Sequence, residues 1–328
     1  MPSISIVIIN WNGENVLENC LRSIYNNSVL PDEVIVVDNN STDNSMQLLE
    51  EYKEVIIAQN SSNKGFSGGF NSGFPFVTSD YCFLLNNDTE LASNCLEEIQ
   101  KALSVHPEAG MFSLQIRLNE EEIDSLGVGV ALDGMSKQIA HKVKVTDAQK
   151  FYRDEALPSG CGAVYKSEML REIGLFDERF FAYCEDTDLA LRALNYGWKG
   201  YLIPDAVLYH LHSHSHGKYS LGKIFYVERN HYFVAIKNFP LALVLLLPIT
   251  TLVRFIVQTF SVIRNPDMRN FLDSEDGSPI LVTFKAIVSM IKHLPEMFEG
   301  RKKNVNKSIS YQNNVIQKHG ISFSSLFR

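Results

Sequence analysis

The sequence predicts an α/β fold: a Rossmann-like, mostly parallel sheet with helices on both faces, followed by a mainly helical C-terminal extension. Short β-branched runs alternate with amphipathic helical spacings through the first half of the chain. Such alternation needs crossover connections and therefore parallel strands covered on both sides. Polar turn clusters follow three of those runs, and beyond Gly217 the composition shifts to long apolar stretches. With 328 residues, 45% hydrophobic and 21% charged, the chain can bury a large core and still carry an appendage.

In chain order, Ser3 to Asn10 is a β-branched run too short for a helix, closed by the turn-like Trp11-Asn12-Gly13. Glu14 to Tyr25 places Val16, Leu17, Cys20, Leu21 and Ile24 at helical spacing. Glu33 to Val37 is a second buried strand ending at Asp38-Asn39-Asn40-Ser41, and Ser41 or Thr42 can cap the helix carrying Met46, Leu48, Leu49 and Tyr52. Val55 to Ala58 is a third strand, Asn60 to Gly73 a glycine-rich loop, and Tyr81 to Leu85 a fourth strand ending at Asn86-Asn87-Asp88. Ligands of open α/β sheets bind beyond the carboxyl ends of the strands, so Asn10–Gly13, Asp38–Ser41 and Asn86–Asp88 are expected on one rim. Residues 120–154 read as an insertion lining an acceptor cleft, Pro158 to Ala163 as a glycine turn, Asp186 to Trp198 as a helix and Gly200 to Ile203 as a short strand.

The extension, residues 218–328, is set apart from residues 1–217 by Leu241 to Ile263. That stretch just reaches the ~20 apolar residues a membrane span requires, but Pro248, Arg254 and Gln258 interrupt it. An interfacial helix on a bilayer suits it better than a span, and a packed tail or homodimer contact is the alternative. Arg301, Lys302 and Lys303 suit anionic headgroups or a solvated face.

Net charge is −8, without a basic arm or stripe, which excludes a nucleic acid polymer as partner. The five cysteines are odd in number and form no CxxC pair. The first ten residues lack a basic signal-peptide region, so a reducing cytoplasm is the expected compartment.

Four groups of residues carry chemistry. Asp88 at a strand end can ligate a hard cation or cap a helix beginning near Glu90. Asp38 can receive a nucleotide base or ribose, or simply close an Asx turn. Glu185, Asp186 and Asp188 crowd a helix start, where the dipole favours negative charge and where one carboxylate can serve as general base. Asp188 and Arg192 are spaced to pair on the helix surface. His210, His212, His214 and His216 alternate, and the simplest reading is one metal-binding histidine among loop residues.

Together, SIVIINWNG (5–13), VVDNNSTDNS (36–45), NKGFSGGFNSG (63–73), LLNNDTEL (84–91), residues 159–198 and the histidine segment resemble the GT-A fold family 2 glycosyltransferases, in particular their bacterial rhamnosyltransferase-like branch. The resemblance spans Ile4 to Gly217 and implies an inverting, single-displacement transfer of a sugar from a nucleotide diphosphate. It implies Asp186 as base, with Glu185, Asp188 and Arg192 on the acceptor side or in support. Asp88 and His210 would be ligands of Mg²⁺ or Mn²⁺, the family's acidic triplet being reduced here to Asn86-Asn87-Asp88. Asn10, Asn12, Asp38, Asn40, Lys64, Gly65, Gly68, Asn71, Asn86 and Asn87 would surround the donor. A dTDP-sugar, rhamnose-like, is the implied donor and a UDP-sugar the runner-up. A glycan or lipid-linked hydroxyl is the implied acceptor, met at the inner face of the cell membrane. A nucleotidyltransferase would carry a basic loop after the first strand, which Asn10 to Asn15 lacks, and a dehydrogenase would carry GxGxxG there. A non-catalytic sugar-nucleotide-binding subunit is the remaining alternative, against which the intact Asp186 argues.

Overall fold

In a computed structural model, residues 1–153, 155–211, 220–264, 278–304 and 309–327 are described. They form two compact units.

The first unit comprises Met1–Val128, Gln138–Phe181 and Gly197–Ser213. It opens with β1 (Ile4–Asn10), α1 (Leu17–Tyr25), β2 (Glu33–Asp38), α2 (Ser45–Leu49) and β3 (Ile56–Gln59). α1 begins later than its apolar spacing implies: Val16 and Leu17 donate to the Gly13 carbonyl, making a turn of residues 14–16. β1 is buried along its whole length. Ile4, Ile6 and Ile8 join Leu17, Cys20, Leu21 and Ile24 of α1 in the main core, so the unbroken apolar run reflects burial on both faces.

The glycine-rich segment is not a loop but a helix, α3 (Gly65–Gly73). Glycine is a poor helix former, and tertiary packing overrides the propensity here. A Cβ on Gly69 would stand 2.8 Å from Ile9 Cγ2, and one on Gly73 would stand 2.6 Å from Val37 Cγ2. The missing side chains let α3 lie directly on β1 and β2.

After α3 come β4 (Tyr81–Asn86), β5 (Thr89–Leu91), α4 (Cys95–Val105), β6 (Ala109–Arg117) and β7 (Ile123–Ser125). A hairpin of β8 (Val128–Val130) and β9 (Ser136–Gln138) precedes β10 (Gly162–Lys166), α5 (Ser167–Ile173), α6 (Glu185–Tyr196) and β11 (Lys199–His210). The large sheet runs β3-β2-β1-β4-β10-β6-β11-β5, with β7 beside β6. β3, β2, β1 and β4 are parallel. β10 is antiparallel to both its neighbours, while β11 is parallel to β6. β11 far outruns its expected four residues. It continues through Pro204 because a register shift between Ile203 and Val207 places the proline where the ladder is already broken.

The second unit comprises Gly129–Lys137, Ala182–Tyr196 and His214–Arg328, with α7 (Leu221–Asn238), α8 (Leu241–Leu245), α9 (Leu247–Arg264), α10 (Pro279–Lys292), α11 (Leu294–Asn304) and α12 (Ile309–His319). α7 is its axis, packing against α10, α11 and α6. Asp188 and Arg192 of α6 are not a surface pair. Both are buried, 3.5 Å apart, and Asp188 also accepts from Lys237 Nζ and Asn238 Nδ2 at 2.8 Å each. Among the described residues no helix is long and apolar enough to cross a membrane. Arg254 sits in the middle of α9, buried, bonded to Asp133 at 2.6 Å and to both oxygens of Glu228 at 3.0 and 2.8 Å.

Candidate active site

The parallel register aligns the strand ends: Asn10 pairs with Asp38, and Ile9 with Asn86. The chain leaves β1 toward β2 on one side and returns to β4 on the other, so β1 and β4 flank the switch point at which ligands of such sheets bind. The three polar clusters meet there. Asn87 Nδ2 donates to Asn10 Oδ1 at 2.8 Å, and Asn10 Nδ2 donates to Ser41 Oγ at 3.3 Å. Ser41 Oγ also accepts from the Asn12 amide at 3.0 Å, and Asn12 Oδ1 accepts from the Thr42 amide at 2.8 Å. Asn12 and Asn40 have φ of 53° and 64°, the left-handed region that asparagine tolerates better than most residues. A Cβ on Gly13 would overlap Asn10 Oδ1 and Asn87 Nδ2, so the glycine leaves room for the hydrogen bond between them. Asp38 is fully buried and accepts from the Ser41 amide, so the Asx turn is present and fixes the carboxylate at the rim.

Other expected donor residues stand differently. Lys64, exposed, reaches Ser72 Oγ at 3.2 Å. Gly65, with φ of 69°, lies against Phe181, and Gly68 against the Lys64 side chain within α3. Asn71 is committed to the backbone of Phe176, donating to its carbonyl at 2.9 Å and accepting from its amide at 3.2 Å.

Asp88 does not cap a helix. A turn carries the chain from Asn86 into β5, and Thr89 Oγ1 closes it on the Asn86 carbonyl at 2.7 Å. The Asp88 carboxylate is buried, with Oδ1 3.4 Å from His210 Nε2. His210, the last residue of β11, comes to Asp88 because β5 and β11 pair antiparallel, Thr89 opposite His210. Its Nδ1 lies 2.8 Å from Asp124 Oδ2, and the other Asp124 oxygen lies 3.0 Å from His141 Nδ1. Burial alone would push the His210 pKa down, but the neighbouring Cys161, Asp124 and Asp88 groups outweigh it and hold the pKa above its usual value. His212, His214 and His216 lie outside the described residues.

This arrangement fits a divalent cation. A carboxylate on one ring nitrogen fixes the tautomer and aims the other nitrogen, as carboxylate–histidine–metal triads do. Among the described residues no group of three or more such ligands gathers. A carboxylate and an imidazole match sites in which substrate phosphates and water complete the shell. Asp124 escaped the sequence analysis because Ile123-Asp124-Ser125 carries no spacing signal, and only the β6–β7 pairing brings it to His210.

In the second unit, the chain entering α6 is strained: Tyr183 and Cys184 have φ of 71° and 67°, costly for side chains larger than glycine. Asn230, fully buried on α7, holds this turn by donating to the carbonyls of Ala182 and Tyr183 at 2.9 and 2.8 Å. Three carboxylates follow with different fates. Asp188 is buried in its ion-pair network. Glu185 is buried with Oε2 lacking a hydrogen-bond partner, and burial, then the charges of Asp186 and Asp188, push its pKa well above the ordinary value. Asp186 alone keeps partial solvent access, while Oδ1 accepts from the Thr187 amide at 2.6 Å.

Comparison with known proteins identifies the family and the fold. The profile described as "Glycosyl transferase family 2" matches residues 5–174. An N-acetylglucosaminyl-diphospho-decaprenol L-rhamnosyltransferase of Mycobacterium tuberculosis is 26% identical over 242 residues, covering 65% of this chain and 77% of that protein. A low-salt glycan biosynthesis hexosyltransferase of Haloferax volcanii is 24% identical, covering 59% and 62%. Among solved structures, TarS 1-349 of S. aureus in complex with UDP superposes with a TM-score of 0.54 at 16% identity, covering 96% of this chain and 91% of that one. A Pyrobaculum calidifontis mannosyltransferase in complex with GDP-Man and Mn²⁺ gives 0.55 at 16% identity, covering 96% and 79%. At these identities the likeness establishes the fold, which is GT-A, a mixed sheet with a helical C-terminal region. With its sheet rim, its matched motifs and more than half its length inside one family's profile, this chain is a glycosyltransferase that belongs to glycosyl transferase family 2.

Proposed function

We propose that the chain transfers a rhamnose-like sugar from a dTDP-sugar, or failing that a UDP-sugar, to a hydroxyl of a lipid-linked or envelope glycan at the inner face of the cell membrane. The pairing of His210 with Asp88, braced by Asp124, carries this reading. The named activity of the M. tuberculosis relative favours the donor and acceptor classes.

In this reading Asn10, Asn12, Asp38 and Asn87 shape the rim that receives the nucleotide. Asp88 and His210 would hold Mg²⁺ or Mn²⁺, which when bound would supply positive charge against the diphosphate. Asp124 positions His210. Asp186 accepts the acceptor's hydroxyl proton as that oxygen bonds to the anomeric carbon. The bond from that carbon to the diphosphate breaks on the opposite side, so the configuration inverts. The leaving group needs no proton, so one base suffices, in contrast to glycosidases. Of the three carboxylates only Asp186 is partly accessible to solvent, which supports its choice.

Asp186→Asn tests the assignment. With dTDP-rhamnose and a synthetic N-acetylglucosaminyl-diphospho-polyprenol, turnover should fall ~10²–10⁴-fold, the usual scale of a general base. Donor affinity, read by calorimetry, should stay within about twofold. Turnover that survives the substitution removes Asp186 from the mechanism.

A further inference from the structure

A surface helix ordinarily turns its apolar stripe to the core and its charges to water. α9 does the reverse. Ile249, Leu252, Val253, Ile256, Phe260 and Ile263 follow one helical face and are exposed. Its central charge, Arg254, points inward to Asp133 and Glu228. α10 exposes Ile280, Leu281, Phe284 and Ile291 at the same kind of spacing, interleaved with exposed Lys285 and Lys292. In a chain of net charge −8, residues 241–263 and 279–292 contain Arg254, Lys285 and Lys292 and not one Asp or Glu.

We propose that the outward faces of α9 and α10 are a docking surface for an anionic lipid bilayer, on which the helices lie without crossing. The charge pattern selects this occupant: Lys285 and Lys292, exposed beside the apolar residues of α10, complement acidic headgroups over an acyl boundary. A second copy docking helix on helix through the same faces would meet no carboxylate among the described residues of α9 and α10 to receive those lysines. The proposal deepens, and takes its biological sense from, the reading of a lipid-borne acceptor.

The test is flotation of the full chain with phosphatidylcholine vesicles and with vesicles half phosphatidylglycerol, at low and high salt. Binding should require the anionic lipid and weaken as salt rises. Leu252→Gln with Ile256→Gln should cut the partition coefficient about tenfold per residue, the scale of one buried aliphatic side chain. Lys285→Gln with Lys292→Gln should cut it about fivefold per lysine and flatten the salt dependence. All four side chains are exposed, so unchanged thermal melts should accompany these losses. Wild-type protein that stays off the anionic vesicles overturns the proposal, as does binding indifferent to Leu252→Gln with Ile256→Gln. A dimer in light scattering that this apolar variant dissociates, without vesicle binding, assigns the faces to a second copy instead. Asp186→Asn should float like wild type. A protein that floats but never transfers sugar contradicts the transferase reading and leaves this one standing.

Discussion

At the scale of single residues, the carboxylates of this chain stand in sharply different surroundings. Glu185 is the plainest case. The native state holds on Glu185 a proton that the unfolded chain releases above 4.5, so stability falls as pH rises from there toward the raised native value. Glu185→Gln removes that penalty. Its melting temperature should match wild type near pH 4 and exceed it at about pH 7. Parallel melting curves across that range would mean the carboxyl is ionised in the native protein. Asp124 offers a complementary test. Asp124→Asn keeps the shape but weakens the hold on His210 Nδ1. Mn²⁺ affinity, measured by spin resonance in the presence of dTDP, should drop ~10–100-fold, the usual cost of losing such a support. An unaltered Mn²⁺ affinity would detach Asp124, and with it His210, from the cation.

At the scale of elements, two helices hold neighbouring segments of the second unit in place. α7 holds the strained turn before α6 through Asn230, whose two hydrogen bonds bridge successive carbonyls. Asn230→Ala would take its hydrogen bonds from those partly buried carbonyls, at up to ~1–3 kcal/mol each. Transfer should fall further than donor binding, and equal losses in both would deny α7 this role. α9 is tied to α7 by the Arg254–Glu228 pair and to the β8–β9 hairpin by Asp133. Arg254→Met strands two buried carboxylates and should cost ~3–5 kcal/mol by urea denaturation. Burial alone would raise the Glu228 pKa, but the His231 hydrogen bond and the Arg254 charge outweigh it and hold the group at about 2. The stability it contributes is therefore complete above the unfolded value of 4.5 and lost as pH falls through about 2. In Arg254→Met that acid-side loss should shrink, the His231 contribution remaining. If it persists unchanged, the pair is not its source.

At the scale of the whole molecule, the question is whether the rim binds as one site. Donor nucleotide and cation that occupy only the native state should raise its stability by ~2.7 kcal/mol at a hundredfold excess over Kd. The melting temperature with dTDP and Mn²⁺ together should exceed the sum of the separate shifts, because the diphosphate completes the cation's shell. Additive shifts would place nucleotide and cation at independent sites.

The sequence by itself determined the local and periodic features of this protein. β1, β2 and β4 with their polar ends, the helix that begins at Glu185, and the family motifs are written in short stretches of chain, because strand burial and turn chemistry are decided between near neighbours. What lay beyond it depended on partners distant in sequence. The glycines of α3 read as a loop until β1 and β2 supplied a surface that only a helix without side chains can approach. Asp188 and Arg192 read as a surface pair until Lys237 and Asn238 closed over them. Asp124 carried no signal at all, since the histidine it bonds to lies 86 positions away. Helix spacing shows that α9 has an apolar face, but not which way that face points. The buried Arg254 and its carboxylates decide that, because a charge leaves water only where opposite charges already wait for it.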